Sequence, residues 1–164
     1  MTREEFYNFY NQNIDKVFRF LYLRTNSLES AQDLTIESFF KFWLSQENGQ
    51  KIENPRAFLF KIARNTLIDF YRKKGPLTLS LDELKEKGLE ISSENFLNEI
   101  EKDEEIQNVL KNLSKIKPIY QQVILLHYIE NLSIKEISFI LKKKENNVRV
   151  LLHRALQALK KTFS

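Results

Sequence analysis

The side chains in this sequence best spaced for chemistry are Asn146, Arg149, Val150, His153 and Gln157, at i, i+3, i+4, i+7 and i+11. On a helix those steps return to one face. The face would carry carboxamides, a guanidinium, an imidazole and a β-branched methyl pair, groups that recognise rather than make bonds. Amides and a guanidinium fork can pair with base edges in a major groove, and Val150 can touch a thymine methyl. Lys142, Lys143 and Lys144 precede them, where ammonium groups would meet phosphates at the rim. A helical hairpin with no role on DNA fits the same spacing. A second polar set, Arg56, Lys61, Arg64, Asn65, Asp69, Arg72 and Lys73, is interleaved with Phe58, Ile62, Ala63, Leu67, Phe70 and Tyr71. The apolar members recur at three- and four-residue steps and predict the buried stripe of one helix. Asp33, Glu37 and Lys41, at i, i+4 and i+8, share a third face, either solvated or docked on a partner protein.

Covalent and metal chemistry have little to work with. There is no cysteine, hence no disulfide frame, zinc ribbon or thiol nucleophile, and a reducing compartment is permitted. The two histidines, His127 and His153, are far apart and lack a carboxylate cluster. His127 lies in an apolar helix and reads as a half-buried packing residue. With three glycines in all, none forms a phosphate-binding loop. The expectation is a protein that is not an enzyme and needs neither metal nor cofactor. No uncharged run approaches the ~20 residues of a membrane span. Met1–Phe6 lacks the basic-then-apolar pattern of a signal peptide. A soluble, cytoplasmic protein without membrane insertion is expected.

The elements that must position these groups read as helices throughout. Glu4–Leu23 carries Phe6, Phe9, Tyr10, Ile14, Val17, Phe18, Leu21 and Tyr22 at helical spacing. Asn26 or Ser27 would cap a second helix, Leu28–Leu44, offering Ala31, Leu34, Phe39 (or Phe40), Phe42 and Trp43 for packing. Pro55 suits the first turn of the third helix, which a basic last turn and Gly75-Pro76 close. Leu77–Leu81 alternates like a strand but has nothing to pair with, and an extended linker is expected to about Glu94. Phe96, Ile100, Ile106, Val109, Leu110 and Leu113 then suggest a helix. Another follows over Pro118–Ile129, carrying Val123, Ile124, Leu126 and Tyr128. Ser133 with Glu136 is a capping box, opening a helix to Leu141 that buries Ile134, Ile137 and either Ile140 or Leu141. The last helix, about Glu145–Phe163, would bury Val148, Leu152, Ala155, Leu156 and Leu159. Charge marks the same division. Residues 1–75 hold 12 Lys/Arg against 9 Asp/Glu, residues 76–107 hold 3 against 10, and residues 108–164 hold 11 against 3. Two basic blocks thus flank an acidic one. The expected fold is all-α, two small helical domains joined by a flexible acidic linker, the second containing a helix-turn-helix. The domains are expected at 1–75 and 107–164, with the linker over 76–106.

Three segments in this order resemble a known family. Ala31-Gln32-Asp33-Leu34 with Glu37, Phe39, Lys41 and Trp43 resembles the polymerase-binding helix of bacterial RNA polymerase sigma factors of the extracytoplasmic-function type, a group within the sigma-70 family. Pro55-Arg56-Ala57-Phe58-Leu59-Phe60-Lys61-Ile62-Ala63-Arg64-Asn65 with Asp69 and Arg72 is similar to that family's −10-element helix, almost position for position. Leu132–Ile137 and Val148-Arg149 with His153-Arg154-Ala155 resemble its −35 reader.

The resemblance implies that the chain binds core polymerase and directs −10 melting and −35 binding. Asp33, Glu37 and Lys41 would then face the β′ clamp, with the β flap a further contact. Asn54, Arg56, Lys61, Asn65, Asp69, Arg72 and Lys73 would line the −10 path, and the loop from Gly49 to Asn54 would take a flipped-out base. Lys144, Asn146, Asn147, Arg149, Val150, His153 and Arg154 would approach −35 DNA. The acidic linker would thread through a basic polymerase channel, and an anti-sigma factor is the further partner implied. Four positions depart from the family's usage. Ile36 replaces a glutamine, Asn147 a threonine, Leu151 an arginine, and Ser138 an alanine. The alternatives are a helix-turn-helix transcription regulator independent of polymerase core, or a helical interaction module.

Overall fold

Thr2 begins the first helix by a reciprocal cap. Glu5 N donates to Thr2 Oγ1 at 3.1 Å, and Thr2 N donates to Glu5 Oε2 at 3.1 Å. The computed structural model of the chain describes residues 1–73 and 102–163, and there is no strand among them. Residues 74–101 lie outside the described residues. With them lie most of the acidic linker, the Leu77–Leu81 segment, the Gly75-Pro76 stop, and the expected helical positions Phe96 and Ile100. The chain packs as two units, Met1–Ser93 and Glu94–Ser164.

In the first unit α1 (Arg3–Thr25), α2 (Leu28–Glu47) and α3 (Pro55–Lys73) close on an aromatic core. Asn26 and Ser27 divide the capping work. Asn26 ends α1 in the left-handed region, at φ 53°. Ser27 Oγ accepts from Ser30 N at 3.2 Å to start α2. Phe9 stacks on Phe42 at 4.8 Å, Phe6 meets Trp43 edge-on at 4.8 Å, Tyr10 meets Phe39 at 4.9 Å, and Phe20 meets Phe60 at 5.9 Å. Such edge-on and offset pairs suit the ring quadrupole. Of the two candidates on α2, Phe39 is buried and Phe40 is exposed.

The expected stripe on α3 needs correction. The buried arc is Ala57, Leu59, Phe60, Ala63, Thr66 and Leu67, whereas Phe58, Ile62 and Phe70 are half-buried and Tyr71 is exposed. Apolar side chains run almost all the way round this helix, so periodicity leaves its rotation open. The neighbouring helices settle which side turns inward, Phe60 meeting Phe20 of α1 and Thr66 meeting Lys41 of α2. Phe58 keeps an edge of the core by touching Phe42 at 5.9 Å. Tyr71 stays at the surface and its hydroxyl donates to the Arg24 carbonyl, tying the ends of α3 and α1 together.

In the second unit α4 (Glu104–Leu113) is capped by Asp103, whose carboxylate accepts from Glu105 N at 3.0 Å. Ile106 and Val109 on it are exposed and Leu113 is buried. The helix expected over Pro118–Ile129 is α-helical only as α5 (Pro118–Ile124), then winds as a π-helix over Leu125–Ile129. Glu130 N bonds the Leu125 carbonyl at 3.0 Å, five residues back. Within this wider turn Tyr128 is exposed, while Val123, Ile124 and Leu126 are buried. His127, half-buried as expected, donates from Nδ1 to the Leu132 carbonyl at 2.9 Å.

The helices α6 (Ile134–Leu141) and α7 (Glu145–Thr162) form the helix-turn-helix. The expected capping box is present, Glu136 N donating to Ser133 Oγ at 3.0 Å and Ser133 N to Glu136 Oε1 at 2.9 Å. Ile137, Ile140 and Leu141 are buried and Ile134 half-buried; on α7 Val148, Leu152 and Ala155 are buried, while Leu156 is exposed. The turn has no glycine, and Lys142 itself adopts the left-handed conformation at φ 56°. Ser138 braces it from both sides. Its carbonyl accepts from Lys143 N at 3.1 Å and its hydroxyl donates to the Lys143 carbonyl.

Candidate nucleic-acid interface

Helix α7 buries one face against its own unit and leaves the other bare. Asn146, Asn147, Arg149, Val150, His153 and Arg154 are all exposed. At about 100° per residue they span an arc of about 160°, so the second unit brings every expected α7 contact onto one surface. Arg149 Nη1 donates to Asn146 Oδ1 at 3.0 Å, which holds the guanidinium and the carboxamide side by side. Lys144 is the N-cap residue, exposed beside Lys142 and Lys143, where the helix dipole favours an anion. Lys143, Asn147, Val150, Leu151 and Arg154 line a shallow cleft of about 320 Å³ along this face. Leu151 as a cleft wall was not anticipated. Its spacing of four from Asn147 and three to Arg154 carries the signal.

Helix α3 divides its polar residues. Lys61, Asn65 and Arg72 fall within about 40° of one another, with Asp69 at the border of that arc. Asn65, Arg72 and Lys73 are exposed, and Lys61, Arg64 and Asp69 are half-buried. Arg56 is apart from them, about 140° round the helix from Lys61. It lies on the packed side, with its guanidinium 5.9 Å from the centre of the Phe60 ring, close enough for a cation–π contact. Burial lowers the pKa of Arg64, and burial, partly offset by Tyr71, lowers that of Arg24. Both remain cations at physiological pH. Asn54 starts α3: its Oδ1 accepts from Ala57 N at 3.1 Å. Gly49, at φ 78°, turns the chain out of α2 into the exposed loop before it.

Asp33, Glu37 and Lys41 on α2 are half-buried rather than fully solvated. Lys41 Nζ stands 3.3 Å from Glu37 Oε1 and donates to Thr66 Oγ1 on α3 at 3.2 Å. Thr66 is a partner that the sequence did not suggest, because one hydroxyl in an apolar helix carries no signal of what it meets. Glu37 Oε2 and Asp33 Oδ1 are buried oxygens without a hydrogen-bond partner. Burial, then Glu29 and Glu37, raise the Asp33 carboxyl above its ordinary 3.8, as desolvation and like charge both disfavour the ionised form. The face thus holds acceptors that a basic partner would satisfy. Among the described residues no group of three or more His, Cys, Asp or Glu could hold a metal, and no helix is long and apolar enough to cross a membrane.

These two units coincide with matches to known proteins. The family described as Sigma-70 region 2 matches residues 9–76, and that described as Sigma-70, region 4 matches residues 106–159. The chain is 30% identical to the ECF RNA polymerase sigma factor SigM of Bacillus subtilis, over all of this chain and 96% of that one. It is 27% identical to SigW of the same organism, over 90% of this chain and 82% of that one. Among solved structures, the sigma factor RpoE in complex with the anti-sigma factor NepR from Bartonella quintana superposes with a TM-score of 0.74 at 18% identity, covering 98% and 97% of the two chains. CnrH in complex with the cytosolic domain of CnrY gives 0.69 at 18% identity, covering 99% and 89%.

Proposed function

The chain belongs to the sigma-70 family as an extracytoplasmic-function sigma factor, and on that premise we propose which of its residues do the family's work. It binds core RNA polymerase and directs it to promoters. In our reading residues 1–75 form the unit that meets polymerase and the −10 element, residues 107–164 meet the −35 element, and 76–106 tether the two. Asp33 and Glu37 meet basic groups of the β′ clamp. The observation that carries this is the pair of buried carboxylate oxygens with no partner in the free protein, an arrangement that folded proteins rarely leave unsatisfied. Lys61, Asn65 and Arg72, with Asp69 and Lys73 beside them, line the −10 path. The half-buried Phe58 and Ile62 next to them offer apolar edges to unstacked bases.

The loop from Gly49 to Asn54 receives a flipped base, with Asn54 setting where α3 begins. Asn146, Asn147, Arg149, Val150, His153 and Arg154 read the −35 duplex, while Lys142 to Lys144 hold phosphates. The β flap is the second docking point on polymerase. Because both solved relatives are held by partner proteins, an anti-sigma factor is the remaining partner we infer. The protein contributes binding rather than catalysis, in the cytoplasm with polymerase.

In vitro transcription with purified core polymerase on a genomic promoter pool tests this reading. The expected result is initiation from a discrete set of promoters sharing two spaced elements. Specific binding to a duplex by the protein alone, with no effect on core polymerase, would instead make it an independent regulator.

A further inference from the structure

We propose that Lys41 is a positioning residue that fixes the −10-reading helix α3 against the polymerase-binding helix α2, its ammonium acting within the protein rather than on polymerase. This rests on the sigma-factor reading of α2 and α3 given above. The Lys41 ammonium lies between two anchors, Glu37 Oε1 at 3.3 Å one turn back on its own helix and Thr66 Oγ1 at 3.2 Å across the seam. Glu37 steers the ammonium and Thr66 receives it. Thr66 is only 1% exposed, so its hydroxyl is a fixed point of the packed seam.

The next residue along the chain, Asn65, is exposed on the face assigned to the −10 element. Holding Thr66 therefore sets the rotation of α3 about its own axis. At the ~5–6 Å radius of a helix with its side chains, a turn of about 20° would carry the tips of Lys61, Asn65 and Arg72 by about 2 Å. That is enough to take a hydrogen bond out of range. The same bond joins the two functions of the unit, because Glu37, which polymerase would engage, is also the carboxylate that holds Lys41.

Valine and serine at position 66 separate this role from simple packing. Thr66→Val keeps the volume and removes the acceptor; Thr66→Ser loses a methyl and keeps the acceptor. The full-length protein is assembled with core polymerase on a promoter recovered from the genomic pool. Promoter opening is read by permanganate reactivity of −10 thymines, and core affinity by competition. Thr66→Val should lower opening about five- to tenfold with core affinity within about twofold of the parent, and Thr66→Ser should open nearly as well as the parent. Lys41→Met should lower opening to the level of Thr66→Val, and the double variant should be no worse than Lys41→Met alone.

Opening preserved by Val and lost by Ser would show that packing alone matters and overturn the proposal. So would a Lys41→Met variant that loses core affinity while Thr66→Val opens normally, since Lys41 would then be a polymerase contact. If the parent protein itself neither binds core nor opens DNA, the sigma-factor reading falls first, and the proposal with it.

Discussion

Asp33, which we propose docks on polymerase, would in that role work against the stability of its own fold. Burial and the neighbouring Glu29 and Glu37 raise its carboxyl above 3.8, so the folded protein binds this proton more tightly than the unfolded chain does. As pH falls through the raised value the free protein gains stability from this residue, and the gain is complete below the ordinary aspartate value. The proposed core contact would run the other way, because a basic partner needs the ionised form. Asp33→Asn should therefore raise the melting midpoint slightly while weakening core affinity at least tenfold. It should also flatten the acid-side loss of core affinity, measured by competition between about pH 4 and 7. On α7, proposed to read the −35 element, Arg149 is held beside Asn146 by a 3.0 Å hydrogen bond. Arg149→Ala should cost about 1–3 kcal/mol of −35 recognition, seen as lost transcription from −35-dependent promoters, with core affinity unchanged.

The glycine-free turn between α6 and α7 is held by a neighbouring serine. Lys142 sits in the left-handed region. For a residue other than glycine that conformation costs about 1–2 kcal/mol. The Ser138 hydroxyl on the Lys143 carbonyl offsets part of that cost by a local side-chain bond to the backbone. Ser138→Ala should lower unfolding stability by about 1 kcal/mol in a denaturant titration. Lys142→Gly should restore a comparable amount in the Ser138→Ala background. Helix existence, the Ser27 and Ser133 caps and the helix-turn-helix were legible because each is written locally: Ser133 and Glu136 three apart, Pro55 at a first turn, apolar steps of three and four; the Thr2, Asn54 and Asp103 caps went unread. The rotation of α3 was not legible, since Phe58 and Ile62 compete with Leu59 and Phe60 and only neighbouring helices decide between them. Nor was the π-helix over Leu125–Ile129, a local widening that apolar spacing does not mark. For the same reason the face of Arg56 and the Lys41 to Thr66 bond, both consequences of that rotation, could not be read from spacing.

At the scale of the molecule, the two separately packed units present their polar residues differently. The α7 residues share one exposed surface, whereas the residues of α3 split between an outward arc and the packed side. Reversing both carboxylates, Asp33→Lys with Glu37→Lys, should abolish retention of core polymerase in a pull-down while leaving the −35 surface of the other unit intact. Residues 1–75 and 108–164, the segments we propose read the promoter, both carry net positive charge. Promoter complexes should therefore weaken steeply with salt, and Lys143→Ala, which would remove one of the proposed phosphate contacts, should lower the log–log slope by about one.

Trp43 is the chain's single tryptophan, and it lies in the first unit against Phe6 at 4.8 Å. Its fluorescence, excited at the red edge where tyrosine is silent, therefore reports on the first unit alone, without any dye. Circular dichroism sums the helices of both units. A thermal scan that follows both signals should show two midpoints if the units unfold independently, and one if they do not. The same indole, on the helix assigned to polymerase docking, gives a label-free titration of complex formation in the native protein.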